Sequence, residues 1–309
     1  MPALRRRAFL SSLAAAATAP AILRAQGGSK RLPIAFSTLG CPRWSWKAIL
    51  EAAATLGYSG IELRGIRGEL DLPRAPELQG TRLAETKRDL AALGLVVTDI
   101  GSSARMHEKE KTARDAQLDD GRRFIDLAHA MGVPYVRMFG DKLPPDEPRA
   151  EVMRRVIEGF QQMAAHAKAA SVTVLVESHG DFVHSGDLDE VLKRVGSDSF
   201  QLLWDAHHTF VAGKEAPAET WARLGRYVRH THLKDSRPEA GARRYVLTGS
   251  GEVPVREQVD VLVRGGYRGY YCFEWEKTWL PEIEEPEIAF PHYAKTMRGY
   301  LAEAGLAGA

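Results

Sequence analysis

Residues 227–235 read Tyr-Val-Arg-His-Thr-His-Leu-Lys-Asp and begin as a strand-like run. Because side chains alternate between the two faces of a strand, His230, His232 and Lys234 point the same way. Two imidazoles and an ammonium on one face of a buried strand are costly unless another group engages them. Neutral imidazole is a common metal ligand, and carboxylates would supply the countercharge. The stretch indicates a buried strand that leads to a metal site, with a half-exposed edge strand as the alternative.

Strand-like and helix-like runs alternate along the chain on both sides of this stretch. Three of the helical runs end at Gly57, Gly94 and Gly132, as helices commonly do. The predicted strands cover 32–38, 60–64, 95–100, 135–139, 172–177, 200–205, 228–234 and 270–276, and the predicted helices cover 44–56, 81–93, 112–131, 149–170, 185–195, 217–226, 254–264 and 286–304. Eight such units favour one closed α/β (β/α)8 TIM barrel over residues 32–309. An open doubly wound sheet is the alternative, but no Gly-x-Gly-x-x-Gly follows its first strand.

The composition narrows the class of protein. The chain has 309 residues, of which 44% are hydrophobic and 27% charged, as is ordinary for a globular protein. Residues 1–25 hold four of the 42 Lys and Arg residues and no acid, which leaves 38 basic against 40 acidic side chains, a net charge of −2. Such a body has no electrostatic footprint for nucleic acid. The two cysteines, Cys41 and Cys272, form neither a disulfide framework nor a zinc–thiolate site.

The first 25 residues have the pattern of an export signal. Arg5-Arg6-Arg7 precedes a short, alanine-rich apolar run over 13–23, and a small residue, Ala25, lies at the expected cleavage point. The paired arginines resemble a bacterial twin-arginine signal, which implies recognition by the twin-arginine export machinery and a folded periplasmic protein. The run is too short to span a membrane stably, so no span is expected in the mature form, and residues 26–31 are expected to be a linker. An uncleaved N-terminal extension is the alternative.

Each of the last four predicted strands ends with a ligand-type side chain, and the active site of a TIM barrel lies at this end. The four residues are Glu177, Asp205, His232 and Glu274. The first two intervals between them match one strand–helix unit each, and the third adds an insertion over 235–252. Two Glu, one Asp and one His make an oxygen-rich set. The sequence therefore predicts one divalent ion, with Mn²⁺ as the first expectation and Mg²⁺, Co²⁺ or Zn²⁺ as alternatives.

The stretch from about Leu32 to Leu306 resembles the xylose-isomerase-like TIM barrel superfamily of sugar phosphate isomerases and epimerases. Four short motifs carry the resemblance, namely Val176-Glu177, Asp205-Ala206-His207-His208, residues 230–235 and Phe273-Glu274. It implies that the four residues at the strand ends bind the metal ion and that His208 contacts a substrate oxygen. Homodimers are common among relatives, which makes a homodimer an expectation, although no interface is readable from the sequence.

These residues suggest a reaction. Glu177 and Glu274 would approach a sugar from different sides, one as base and the other as acid, to invert a carbon next to a carbonyl through an enediolate. Proton return to the neighbouring carbon would give aldose–ketose isomerisation. Four further residues are candidates for substrate binding: His179, Lys234, Arg137 and Glu62. Loop hydrogen bonding is the alternative role for the first two, and a salt bridge in the barrel for the others.

Other functions stay open at this point. A lyase or dehydratase would use the same proton removal on a keto-sugar or 3-keto-glycoside and then eliminate a group from the next carbon. A periplasmic sugar-binding protein would keep the metal ion without turnover. An apurinic-site endonuclease shares the barrel but needs extra histidines on the second and third strands, where this chain has Glu62-Leu63-Arg64 and Asp99-Ile100-Gly101.

Overall fold

Eight parallel strands close into a barrel in the computed structural model, which describes residues 31–306. The predicted signal peptide and residues 26–30 of the predicted linker lie outside the described residues. Each barrel strand pairs with its neighbours in sequence, and the last pairs with the first. The barrel strands are β1 (Ile34–Ser37), β2 (Gly60–Leu63), β3 (Val96–Arg105), β4 (Tyr135–Phe139), β5 (Thr173–Glu177), β6 (Phe200–Asp205), β7 (Val228–Leu233) and β10 (Tyr271–Phe273). The predicted (β/α)8 barrel is confirmed.

Helices surround the barrel, and all eight predicted helices are present within a few residues of their expected ends. They are α1 (Trp46–Leu56), α2 (Gly80–Leu93), α3 (Lys111–Met131), α4 (Arg149–Ala169), α5 (Ser185–Val195), α7 (Pro217–Leu224), α8 (Val255–Arg264) and α9 (Pro286–Glu303). The short helix α6 (Ala206–Val211) and the antiparallel hairpin of β8 (Asp235–Glu239) and β9 (Ala242–Val246) were not predicted. No helix in residues 31–306 is long and apolar enough to cross a membrane.

Local sequence explains where the helices begin and end. Helix α1 starts after Ser45, whose Oγ accepts a hydrogen bond from the Ala48 N–H. It ends at Gly57, where φ is 76°, a left-handed conformation that favours glycine. The Gly57 N–H donates to carbonyl oxygens of the last turn, which would otherwise lack a donor. The glycine ends read from the sequence are therefore real helix caps.

Alternation along the strands separates an apolar outer layer from a polar interior. Phe36 of β1 and Phe273 of β10 face outward and stack on helix α9, with ring centroids 4.3 Å from Phe290 and 4.3 Å from Tyr293 respectively. These contacts cover the seam where the last strand meets the first. Along each strand, every second side chain points into the barrel. On the later strands, these inward positions carry the charged residues of the site.

Candidate metal centre

The four side chains predicted as ligands converge at the C-terminal end of the barrel. Glu177 and Asp205 are the last residues of β5 and β6, His232 lies near the end of β7, and Glu274 directly follows β10. All four are buried, and each offers one ligand atom within 4.8 Å of the others. Positions that are up to 97 residues apart in sequence are thus brought to one point by the closure of the barrel.

The imidazole of His232 lies at the centre of this group. Its Nδ1 is 3.2 Å from Glu177 Oε1, 3.2 Å from Glu274 Oε1 and 3.8 Å from Asp205 Oδ2. Its Nε2 points the opposite way and is 2.6 Å from Glu62 Oε2. Burial acts to lower the pKa of His232, but the carboxylates of Glu274, Glu62 and Glu177 raise it well above the ordinary value. The pocket around Nδ1 therefore favours a positive charge.

This donor set fits a divalent ion. Three carboxylate oxygens and one imidazole nitrogen surround one point, and carboxylate-rich sets with one nitrogen suit Mg²⁺, Mn²⁺, Co²⁺ or Zn²⁺. Burying three carboxylates together is unfavourable unless cations balance them. The geometry alone does not select among these ions.

Two buried cations balance part of the negative charge. Arg137 Nε is 3.0 Å from Glu177 Oε2. Burial acts to raise the pKa of Glu177, but the positive charges of Arg137 and His232 lower it to about 2. The Lys234 ammonium contacts Asp205 Oδ2 at 2.7 Å, Glu276 Oε1 at 2.8 Å and Glu274 Oε2. Burial would lower the pKa of Lys234, but these carboxylates raise it well above its usual range. Both predicted substrate contacts thus lie beside the ligands and pair with them.

The sequence Asp205-Ala206-His207-His208 folds as a strand that passes directly into helix α6. Asp205 Oδ1 accepts hydrogen bonds from the His207 and His208 backbone N–H groups and caps the helix, which leaves Oδ2 for the site. The two histidines then point in different directions. His208 Nε2 lies 3.4 Å from Asp205 Oδ2, whereas His207 Nε2 lies 2.7 Å from Ser236 Oγ in the hairpin.

The mouth of the site is formed by partly exposed side chains. His208 and His179 pack edge to face with ring centroids 5.3 Å apart, and the His179 side chain is 39% exposed. His179 Nδ1 is 3.4 Å from Asp141 Oδ1. Burial lowers the pKa of His179, but Asp141 and Glu177 raise it above the ordinary value overall. The predicted pair of His179 and His208 is therefore brought together at the entrance.

Glu62 lies deeper in the barrel than the other predicted residues. It is fully buried on β2, and its Oε2 lies 3.1 Å from His230 Nε2 as well as 2.6 Å from His232 Nε2. Burial opposes ionisation of Glu62, but His232 and His230 hold its pKa well below the usual range. Cys272 Sγ is 3.9 Å from the same oxygen. Glu62 thus contacts the back of a ligand and not the entrance.

Three residues near the site were not identified from the sequence. Arg64 is buried two positions after Glu62, donates to Ser103 Oγ at 2.8 Å, and has no partner for Nη1 among residues 31–306. Strand parity with Glu62 was the available signal. Tyr245 of the hairpin stacks on His207 with centroids 5.1 Å apart, which no local pattern indicated.

The third unidentified residue, Asp235, holds the loop that follows the hairpin. Its carboxylate accepts hydrogen bonds from the backbone N–H groups of Gly249, Gly251 and Val253, at 2.9, 2.9 and 3.1 Å. Charge-assisted bonds of this kind are stronger than neutral ones. The loop over 248–254 is therefore a fixed part of the rim.

A cavity of about 880 Å³ lies at the other end of the barrel. Residues at or just before the starts of β3, β4, β7 and β10 line it, including Val228 and Tyr270, so it lies at the N-terminal ends of the strands. None of the four candidate ligands borders it. The chemistry-bearing side chains and this cavity thus occupy opposite ends of the molecule.

Comparisons with known proteins agree with this architecture. Residues 50–296 match a family described as the xylose isomerase-like TIM barrel. The chain is 24% identical over 286 residues to the L-ribulose-5-phosphate 3-epimerase UlaE of Escherichia coli O157:H7 (strain EC4115 / EHEC), which covers 90% of this chain and 98% of the epimerase.

Solved structures share the fold at lower identity. The D-psicose 3-epimerase of Clostridium cellulolyticum H10, solved with D-tagatose, superposes with a TM-score of 0.69 at 16% identity, covering 89% of this chain and 100% of the epimerase. The IolI protein, solved with a zinc atom, superposes with a TM-score of 0.74 at 15% identity, covering 88% and 99%. At these identities the structures establish the barrel fold.

Proposed function

Because the chain belongs to the xylose isomerase-like TIM barrel family, we propose that it is a divalent-metal-dependent sugar isomerase or epimerase. One observation carries the proposal: the carboxylates of Glu177 and Glu274, from strands β5 and β10, both lie 3.2 Å from the same nitrogen of His232. Two carboxylates that face one buried point can act on the same carbon of a bound sugar. The full-length relative named as a 3-epimerase supports this reading.

Glu177, Asp205, His232 and Glu274 would hold the ion, with Mn²⁺ first among the expected metals. A divalent ion there supplies Lewis-acid polarisation of the substrate carbonyl. Positive charge from Arg137 and Lys234 keeps both glutamates ionised in its absence, because each glutamate contacts one of these cations. Both glutamates are thus in the deprotonated form that a general base requires.

The proton transfers are assigned to these two glutamates. One carboxylate removes the proton from the carbon next to the carbonyl, and the electron pair of that C–H bond moves to the carbonyl oxygen to form an enediolate. The other glutamate, after taking up a proton from solvent, donates it to the opposite face of the same carbon, which inverts the configuration of that carbon. Proton exchange with solvent then resets the pair. Return of the proton to the neighbouring carbon gives the isomerase outcome.

We propose an uncharged sugar as the substrate. His208 and His179 at the entrance would bind its hydroxyl groups, and Lys234 would contact an oxygen near the reacting carbon. The two cations beside the ligands, Arg137 and Lys234, are each paired with carboxylates, so they are not free to bind a phosphate group. Export to the periplasm, proposed from residues 1–25, supports the same class of substrate.

Deuterium exchange tests the reaction. Protein of residues 26–309, metal-loaded or metal-stripped, would be incubated in D₂O with ketoses, aldoses and 3-keto-glycosides and followed by NMR after removal of the ion. We expect metal-dependent deuterium uptake next to the carbonyl, lost in Glu274→Gln. Glu276→Gln is the matched control, because Glu276, like Glu274, contacts Lys234 but is not among the candidate ligands.

The products separate the competing functions. An epimer or isomer is the expected product, whereas an unsaturated sugar would identify a lyase. Sugar binding without exchange in either metal state would contradict the enzyme proposal and favour a binding protein.

The proposed export has its own test. Mass spectrometry of the protein recovered from the periplasm of a bacterial host should give an N-terminus at Gln26, and replacement of Arg5, Arg6 and Arg7 by lysine should retain the protein in the cytoplasm. Periplasmic recovery that is unaffected by the replacements would contradict the twin-arginine assignment.

A further inference from the structure

The buried carboxylate of Glu62 contacts the metal-site histidine from behind. Its Oε2 lies 2.6 Å from His232 Nε2 and 3.1 Å from His230 Nε2, and all three side chains are at most 1% exposed. The contacts therefore lie in the barrel interior, where an unpaired carboxylate would be costly. Glu62 and His232 are 170 residues apart in sequence, so this is a tertiary contact between two strands of the barrel.

The distances around the two ring nitrogens of His232 differ. Two donors held about 2.1 Å from one ion at tetrahedral or octahedral angles are roughly 3.0–3.4 Å apart. The 3.2 Å distances from His232 Nδ1 to Glu177 and Glu274 fit that range. The 2.6 Å distance from Nε2 to Glu62 is shorter and fits a charge-assisted N–H···O hydrogen bond. These distances match a hydrogen bond on the Glu62 side of the ring and leave the spacing of metal ligands on the other side.

We infer that Glu62 is a positioning residue that keeps the His232 proton on Nε2 and so presents the Nδ1 lone pair to the metal ion. This inference rests on the proposed metal-dependent function. An ionised carboxylate can only accept, so His232 donates through Nε2, and a metal ion that replaces the second ring proton then meets the lone pair of Nδ1. The same contact fixes the ring orientation and raises the basicity of the ligand.

His230 serves to hold the carboxylate in place. His230 lies on β7 two positions before His232, so both rings project to the same side of the strand and reach the same oxygen of Glu62. Two donors on one oxygen restrict rotation of the carboxylate, which a single hydrogen bond would allow. This explains the pair of alternating histidines in residues 230–232, of which only the second faces the metal site.

Metal affinity tests the inference directly. Titration calorimetry would compare Zn²⁺ binding by the wild-type protein, Glu62→Gln and Asp99→Asn. Glu62→Gln should weaken binding by about 10–100-fold, as removal of an outer partner of a ligand histidine typically does. Asp99→Asn is the matched control, since Asp99 is a fully buried acid that pairs with Glu62 in the strand register but makes no hydrogen bond to His232; a change below about 3-fold is expected.

Nitrogen NMR on histidine-labelled wild-type protein gives a second readout that does not need the variant to fold. In the Zn²⁺ form, the His232 ring proton should be on Nε2, and the Nδ1 signal should shift on metal binding. A proton on Nδ1, or Zn²⁺ affinity of folded Glu62→Gln within about 3-fold of the wild type, would overturn the inference. Two Zn²⁺ per chain, one lost in Glu62→Gln, would instead make Glu62 a ligand and also overturn it. Absence of both Mn²⁺ and Zn²⁺ binding by the wild type would refute the metal-dependent function itself.

Discussion

Two clusters of ligand-type side chains share His232 and differ in their hydrogen-bond donors and acceptors. The rim cluster joins His232 to Glu177, Asp205 and Glu274, and the inner cluster joins it to Glu62, His230 and Cys272. In the inner cluster, N–H donors meet one carboxylate oxygen at hydrogen-bond distances. In the rim cluster, the other ring nitrogen of His232 faces three carboxylate oxygens at 3.2–3.8 Å. The rim cluster thus holds three carboxylates and one imidazole, whereas the inner cluster holds one carboxylate, two imidazoles and a thiol, so the two clusters differ in their balance of donors and acceptors.

The largest expected effect follows from removing the cation that balances the rim cluster. Lys234→Met should destabilise the metal-free protein by about 3–5 kcal/mol, because it leaves buried carboxylates without their partner. At ~2–4 °C per kcal/mol, the thermal midpoint should fall by roughly 10 °C, as measured by calorimetry in EDTA. A divalent ion should restore more of the loss than it adds to the wild type, because it replaces the missing charge.

The control for this prediction is Lys193→Met, which removes a half-exposed ammonium from a surface pair with Asp189. Such pairs contribute about 0–1 kcal/mol, so its midpoint should stay close to the wild type. Equal midpoints for Lys234→Met with and without metal would mean that the ammonium and the ion do not share the same carboxylates.

Removal of the shared histidine comes next. Structural zinc sites with four ligands supply about 10–16 kcal/mol, so His232→Ala should weaken metal binding by on the order of 10²–10³-fold. His230→Ala changes only the inner cluster and should cost less than 10-fold. Metal analysis after dialysis, together with calorimetric titration, would measure both. Similar losses in the two variants would show that both clusters bind metal.

A smaller effect is expected at the entrance, where two adjacent histidines diverge. His208→Gln should lower kcat/KM by roughly 10–100-fold, the value of one or two lost hydrogen bonds to substrate, with metal affinity unchanged. His207→Gln should change kcat/KM by less than about 3-fold, because its imidazole bonds to Ser236 and stacks on Tyr245. Steady-state kinetics on the sugar identified by deuterium exchange would compare them. Metal loss in His208→Gln would instead place it among the ligands.

The sequence was sufficient to predict the strand–helix units and the four candidate ligands, which depend on short-range sequence patterns. Strand parity and the position of the site at the C-terminal end of a barrel brought Glu177, Asp205, His232 and Glu274 to one rim, and helix-ending glycines located the units. Both rest on short-range periodicity and on a topology in which neighbours in sequence are neighbours in space. The predicted grouping of the four side chains is what the structure contains.

The remainder depends on contacts that cross the barrel. Glu62 was predicted either to line the pocket or to form a salt bridge in the barrel, because parity gives the face of a strand but not its depth, and its partner His232 lies 170 residues away. The hairpin of β8 and β9 was missed because its strands are polar and mostly exposed, so they lack the apolar alternation of barrel strands. Its role is set by Tyr245 and Ser236, which contact His207 only in the folded protein.

The smallest expected effect concerns Cys272, which makes the longest contact in the inner cluster. Cys272 Sγ lies 3.9 Å from Glu62 Oε2, and burial, followed by the nearby charge of Glu62, raises the pKa of the thiol well above its usual range. The thiol would have to lose its proton to bind a metal ion, which burial beside the Glu62 carboxylate opposes. Cys272→Ser should therefore change Zn²⁺ affinity by less than about 3-fold in calorimetric titration, with Cys41→Ser, the other buried thiol, as the control. A loss comparable to that of His232→Ala would mean that the inner cluster binds zinc through sulfur and that the donor–acceptor argument fails there.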